Sequence, residues 1–299
     1  MGKRIGFIGA GKAGFSLGKH IREEAAGDYT VHGFYSKNPE SAREAAAFTG
    51  GKAFLSVDEL AAECDVLLLT VPDGQIAETW KYVQNRILNS PAAGIARKEP
   101  LLIGHCSGSL NSAILKSTSD QISDLFAFGS LHPIMALRDK ETAYQQLPGA
   151  YFTIEGDRPF TDFAEKLLLE LKNPYCIIDA DSKTLYHAAL VLVSNLVCAL
   201  TFEGMEVLKA CGLDEEFAEN AWRSLFLSNA ENIASVGPVL ALTGPIERAD
   251  TSTVSRHLKE LSGDAREIYL SLSRILINTA QKKNPDRDYS ELKELLCNK

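Results

Sequence analysis

The six residues GAGKAG, positions 9–14, follow the apolar run RIGFI and open a stretch with helical spacing. Few sequence features restrict a fold as much. Gly9, Gly11 and Gly14 repeat the GxGxxG spacing. Its first glycine permits a tight turn, its second lets backbone approach a pyrophosphate, and its third allows close helix–strand packing. The helix that begins here offers free N–H groups and the positive end of its dipole to phosphates. Alone the pattern is weak, but a strand before it and a helix after it are the context that gives it meaning. Gly9, Ala10, Gly11, Lys12, Ala13 and Gly14 are therefore expected to hold a dinucleotide.

The residues around this loop continue the same plan. Strand-like runs at 29–36, 64–72, 100–108, 126–134, 150–156 and 175–180 alternate with helical patterns at 12–24, 39–48, 74–88 and 160–172. Alternating β and α elements predict an α/β fold with a doubly wound, mostly parallel sheet. CDVLLLTVP is apolar almost throughout, as expected of a strand covered on both faces. After Ala180 the pattern becomes helical only, with helices expected over 183–212, 214–235, 251–261, 264–282 and 289–297. The expected division is a dinucleotide-binding domain over 1–180 and a helical domain over 181–299.

The end of the second strand bears on the choice of cofactor. NAD binders usually place an acid there for the ribose 2′-hydroxyl. Here no acid occurs from Val31 to Pro39, and Ser36 and Lys37 offer a hydroxyl and a cation suited to a 2′-phosphate. NADP is thus expected over NAD. Val71, Pro72 and Asp73 end a later strand on the ligand side of the sheet and are expected beside the cofactor, although Asp73 could equally cap the next helix. A net charge of −8 argues against nucleic acid or an anionic membrane as partner, leaving a small-molecule substrate. Six cysteines without a CxxC pair suit a reducing cytoplasm. The N-terminal residues read straight into a strand, so no signal peptide is expected. The strongest apolar run, about Ala188 to Leu200, is read as too short to span a bilayer, which needs ~20 residues.

With GAGKAG, VPD, HCSGSL (105–110), SLHPI (130–134), YHAALVLVSN (186–195) and LTGPIERADTSTVSRHL (242–258), the chain resembles the Rossmann superfamily of NAD(P)-binding proteins. That superfamily contains 6-phosphogluconate and 3-hydroxyisobutyrate dehydrogenases and pyrroline-5-carboxylate and ketopantoate reductases. More closely, the chain is similar to bacterial Rossmann-like proteins with a C-terminal domain of unknown function, number 2520. The resemblance implies a Rossmann domain, a helical domain of the 6-phosphogluconate-dehydrogenase type that forms a homodimer, and a cleft between the two for substrate. It implies no particular substrate.

The stretch SKTLYHAALVLVSN (182–195) carries the candidate chemistry. On one helix His187 lies about 40° round from Lys183, Ser194 about 20° and Asn195 about 120°. Lys183 and Ser194 would be roughly 16 Å apart along the axis, so only Lys183 and His187 could reach one substrate atom together. The related dehydrogenases carry Lys-x-x-x-Asn at this point, the lysine as acid or base and the asparagine as orienter; here the second position is His187. Histidine can donate a proton near neutral pH and could share or replace the lysine's task. The structural alternatives are a solvated Lys183, a hydrogen-bonded His187 and an Asn195 that satisfies buried backbone.

His105, Ser107 and His132 follow strand ends and could bind a substrate carboxylate or carbonyl, or could simply order their turns. GHCSG is not the GxSxG of a hydrolase elbow. Metal binding by His105, Cys106 and His132 lacks paired spacing. Arg248, just before a helix cap at Asp250 or Thr251, is a candidate anion anchor, or pairs with Glu247 or Asp250. Three functional readings remain open from the residues. The first is an NADP-dependent oxidoreductase acting on a small anionic carbonyl or imine, with Lys183 or His187 as proton donor and Ser107, His132, Asn195 and Arg248 as substrate contacts. The second is a dinucleotide-binding sensor or scaffold. The third is a deazaflavin-linked NADP oxidoreductase.

Overall fold

The computed structural model describes residues 2–25, 27–90, 98–116 and 125–297. Its central element is one eight-stranded sheet in the order β3-β2-β1-β4-β5-β6-β7-β8. The strands are β1 (Lys3–Ile8), β2 (Tyr29–Tyr35), β3 (Lys52–Phe54), β4 (Val66–Leu69), β5 (Leu101–His105), β6 (Phe126–Pro133), β7 (Phe152–Gly156) and β8 (Tyr175–Ile177). Every neighbouring pair is parallel except β6 and β7. The first six strands follow the Rossmann order, so the fold is the doubly wound one that the alternation predicts.

Helices cover both faces. Alternation along β4 sends Val66 and Leu68 into one core with α1 (Lys12–Glu24), α2 (Pro39–Thr49) and α5 (Arg158–Glu170). Leu67 and Leu69 enter the other core with α3 (Val57–Glu63) and α4 (Ile76–Leu88). A strand apolar at every position has two faces to bury, which is why CDVLLLTVP shows no polar alternation. β3 and α3 were not anticipated. KAF is too short for a period-2 signal, and its pairing with β2 (Gly33 beside Lys52) makes it a strand.

The chain divides into two compact units, Met1–Leu190 and Val191–Lys299. The division falls later than the change of composition after Ala180, because α6 (Lys183–Leu192) begins with side chains bonded to the sheet strands. The second unit comprises α7 (Asn195–Ala210), α8 (Glu215–Ala241), α9 (Thr251–Glu260), α10 (Gly263–Lys283) and α11 (Ser290–Cys297). Its core gathers Val254 and Leu258, Leu270 and Ile277, and Leu292 and Leu296 from the last three helices. Residues 183–212, expected as one helix, are two: Ser194 leaves helical geometry at φ −130°, ψ −81°. Adjacent Ser194 and Asn195 are residues whose short polar side chains compete with the helical backbone, and Ser194 donates to Asn195 Oδ1 at 3.2 Å. Gly237 (φ 80°) breaks α8 as expected, but helix resumes beyond Pro238.

One expectation needs correction. The helical stretch Ala180–Ala210 has 31 residues and a mean hydropathy of 1.8 over its most apolar window, enough by length and composition to cross a bilayer. A count from Ala188 to Leu200 leaves out the apolar Leu185 before it and Phe202 after it. However, Lys183 and Tyr186 are tied to groups on the sheet strands. What is left between Tyr186 and Glu203 is a segment of roughly 24 Å, short of the ~30 Å hydrocarbon core.

Candidate functional site

The glycine loop is built as its spacing requires. Gly9 takes φ 103°, and a Cβ there would come within 2.8 Å of the Thr70 carbonyl oxygen. A Cβ on Gly14 would meet Thr70 Oγ1 at 2.7 Å, so this glycine seats α1 against the end of β4. Thr70 Oγ1 in turn donates to the Gly9 carbonyl at 2.8 Å and holds the loop. Gly11 differs. The nearest atom to a Cβ there is Thr70 O at 3.8 Å, which leaves open the room a pyrophosphate would need. Gly11 is the N-cap of α1, no side chain caps that end, and the first turn has no acid. An uncapped helix N-terminus facing open space fits an anion. Ala10, Lys12 and Ala13 complete the loop. Beyond β2, Ser36 is half-buried and Lys37 exposed, and among the described residues neither side chain has a hydrogen-bond partner. Asn38 is committed elsewhere, accepting from Glu40 N to cap α2.

The second half of the site lies at the carboxyl ends of β4, β5 and β6, where open parallel sheets bind ligands. Val71 is half-buried and Pro72 exposed. Asp73 opens a short 3-10 turn and makes no cap hydrogen bond. Its Oδ2 accepts instead from Ser107 Oγ at 2.7 Å and Ser109 Oγ at 2.9 Å, clamping the ends of β4 and β5 together. Ser107 Oγ also accepts from the amides of Ser109 and Leu110. The Ser107 hydroxyl is thus engaged by Asp73 and by its own turn. His105 is likewise taken up: Nδ1 accepts from Ser107 N at 3.2 Å and Nε2 donates to the Asn111 carbonyl at 3.3 Å. Burial, with help from Lys183, pushes its pKa down to about 4, so it stays neutral.

Lys183 is the most unusual group in the molecule. It is the first residue of α6 and only 1% exposed, which rules out the solvated-lysine reading. Its ammonium donates to the Ser107 carbonyl at 2.8 Å and to Ser130 Oγ at 2.6 Å. Burial pushes its pKa down to about 8, partly opposed by the Glu155 carboxylate. Glu155, on β7, is itself buried. It accepts from Ser112 Oγ at 2.6 Å, Ser112 N at 2.8 Å and Ser130 Oγ at 3.4 Å. Ser130 is therefore a bridge between a buried cation and a buried anion.

His132, two residues along β6, places Nδ1 2.8 Å from the Tyr186 hydroxyl, which also receives Thr153 Oγ1 at 3.1 Å. Its pKa falls to about 4 through burial, then through Lys183 and His187. The His187 ring centroid stands 6.4 Å from that of His132. Gly108 lies among them, since a Cβ there would come within 2.7 Å of His132 Nε2 and 2.8 Å of His187 Cδ2. Lys183, His187, His132 and the Ser107–Gly108 backbone thus converge on one point.

Asn195 and Arg248 belong to the second unit and are exposed. The break at Ser194 removes Asn195 from the α6 face on which a continuous helix would have placed it. Glu247 pairs with Arg287 at 3.0 Å rather than with Arg248, and Asp250 caps α9 by accepting from Thr253 N. Sequence reasoning missed Ser130, Thr153, Glu155 and Tyr186. The one available signal was Glu155, a lone acid within the apolar strand FTIEG, because a buried charge must find a partner.

Residues 150–275 match the model of a domain of unknown function, number 2520. Residues 4–94 match that of the NADP oxidoreductases dependent on coenzyme F420. The structure is similar to a protein from Thermotoga maritima at 26% identity, with a TM-score of 0.70 over 93% of this chain and 99% of that one. A candidate NADP oxidoreductase from Bacteroides fragilis shares the fold at 20% identity, with a TM-score of 0.65 over 93% of this chain and 98% of that one. So does pyrroline-5-carboxylate reductase from Coxiella burnetii, at 14% identity, with a TM-score of 0.56 over 95% of this chain and 99% of that one. No curated protein is a match to the chain.

Proposed function

From these two family matches and the buried lysine at the ends of the strands, we propose that the protein is an NADP-dependent oxidoreductase acting on a small, anionic carbonyl or imine compound. The observation that carries the reading is Lys183. A lysine wholly withdrawn from water, with its pKa lowered toward neutrality, is poised for acid–base work. A purely structural sensor would gain little from that expense.

When bound, the nicotinamide cofactor supplies or accepts a hydride. The chain's own residues do the rest. The N-terminus of α1 and Gly11 take the pyrophosphate, Ser36 and Lys37 the 2′-phosphate, and Val71, Pro72 and Asp73 flank the cofactor. Lys183 donates a proton to the reacting atom, with His187 beside it, and His132 orients that atom. The coenzyme F420 match covers the dinucleotide portion and stops before Lys183 and His187, so it supports NADP binding without assigning a deazaflavin to the chemistry.

NADPH is expected to bind at least about 10-fold tighter than NADH, because only it carries the phosphate that Lys37 can pair. A fluorescence titration measures this, and equal affinities would sink the Ser36 and Lys37 reading. Screening small keto acids and imines for NADPH oxidation separates an enzyme from a sensor, for which no compound would be turned over.

The helical unit leaves Leu196, Leu200 and Phe202 on α7 and Phe217, Leu225 and Leu227 on α8 exposed. Apolar surface on this scale marks an association site. We assign it to a second copy of the chain, giving a cytoplasmic homodimer. Light scattering is expected to give twice the chain mass and, for Leu225→Lys, the single mass. A monomeric wild type would overturn the assignment.

A further inference from the structure

We propose that Tyr186 holds His132 as a neutral imidazole with its proton on Nε2. His132 Nε2 and Lys183 Nζ then both offer hydrogen-bond donors to the reacting atom, and its substrate carries a carbonyl oxygen rather than an imine nitrogen there. This rests on the oxidoreductase reading above and narrows its substrate class.

The tautomer follows from counting protons. Thr153 Oγ1 donates to the Tyr186 phenolic oxygen. The phenol has one proton, and its other neighbour is His132 Nδ1 at 2.8 Å. That proton goes to Nδ1, which must then be the acceptor nitrogen of the ring. A neutral imidazole accepting at Nδ1 carries its hydrogen on Nε2. Burial and the nearby Lys183 ammonium keep the ring from taking a second proton. Tyr186 is a positioning residue in this scheme, acting on the substrate through His132.

Both donors lie beside the Ser107–Gly108 backbone. His132 Nε2 packs so closely on Gly108 that a Cβ there would come within 2.7 Å of it, and His187 Cδ2 would stand 2.8 Å from the same Cβ. The preceding carbonyl, that of Ser107, binds Lys183 Nζ. Of the three ammonium protons, two go to Ser107 O and Ser130 Oγ, and among the described residues the third is not taken up.

A carbonyl oxygen has two in-plane lone pairs and can accept from Nε2–H and Nζ–H at once. A neutral imine nitrogen has a single lone pair and would leave one buried donor unmet, which is costly. A protonated iminium accepts nothing and is repelled by the ammonium. In the reduction, hydride forms the new C–H bond and the C=O π pair moves onto oxygen. That oxygen takes one proton from Lys183, which recovers it from water. His132 remains a donor throughout, keeping the single proton of its neutral ring on Nε2.

The first test needs no substrate. In protein labelled with ¹⁵N-histidine, long-range ¹H–¹⁵N correlation near neutral pH is expected to show His132, assigned by its loss in His132→Gln, protonated at Nε2 and bare at Nδ1. Tyr186→Phe is expected to turn this into a mixture of tautomers. A wild-type ring protonated at Nδ1, or at both nitrogens, overturns the proposal. The second test sets α-keto acids against the cyclic imine 1-pyrroline-2-carboxylate with NADPH. The keto acids are expected to lead in kcat/KM by at least about 100-fold. A lead for the imine overturns the substrate class even if the tautomer is as stated. Reduction of neither class by protein that binds NADPH overturns the oxidoreductase reading and this substrate class together, whereas a wrong tautomer overturns the proposal alone.

Discussion

Lys183→Met is expected to lower kcat by about 10²- to 10⁴-fold, the range lost with a general acid, while NADPH affinity holds. Methionine has nearly the volume of lysine without its charge, so the cavity stays filled. The partners left behind are a backbone carbonyl and a serine, and Glu155 keeps both Ser112 bonds. Loss of the cation leaves Glu155 buried without its counter-charge, so a lower melting temperature is expected beside the loss of kcat. The unchanged NADPH affinity is what separates the two effects.

The pH profile supplies an independent readout. Lys183 donates only while protonated, and burial sets its pKa near 8. For reduction, kcat/KM is expected to hold below that pH and fall as pH rises through it. The groups that face the ammonium are Glu155, Asp73, Cys106, His105 and His132. Of these, Glu155 contributes most toward keeping it charged. Glu155→Gln should therefore move the alkaline limb to lower pH, a change that mere loosening of structure would not produce. A variant at position 183 that keeps kcat within a factor of a few would remove the lysine from the chemistry.

What was legible in the sequence depended on range. The glycine loop, the alternation of strands and helices, and the change to helices after Ala180 are local patterns written in consecutive residues. The Lys183–His187 pairing is local too, one turn apart on a helix. The partners of those residues are not local. Ser130 and Glu155 meet because β6 and β7 run antiparallel and pair residue with residue, a register that no short window of sequence contains. The same pairing sets Thr153 opposite His132 and so brings both to Tyr186. The helix break at Ser194 was misread for a different reason. Apolar periodicity continues across it, and the competition of Ser194 and Asn195 with the backbone is invisible to a count of apolar positions.

Gly11→Val is expected to reduce NADPH affinity by at least about 100-fold, or about 2.8 kcal/mol, with the fold intact. Gly9 and Gly14 cannot give this result. At Gly9 a side chain meets a positive φ and the Thr70 carbonyl, and at Gly14 it meets Thr70 Oγ1 at 2.7 Å. Valine at either position should lower the melting temperature whether or not a ligand is ever bound, since overpacking costs about 1–3 kcal/mol. Gly11 has φ −87° and ψ −170°, which any residue adopts, and nothing lies within 3.8 Å of its would-be Cβ. The free protein therefore gives no reason for glycine at this position. Close approach of a ligand to the backbone does. A melting curve paired with an NADPH titration reads the two effects apart. If Gly11→Val bound NADPH like the wild type, the open space over α1 would not be where the pyrophosphate goes. If it melted early, as Gly14→Val should, the glycine would be there for packing after all.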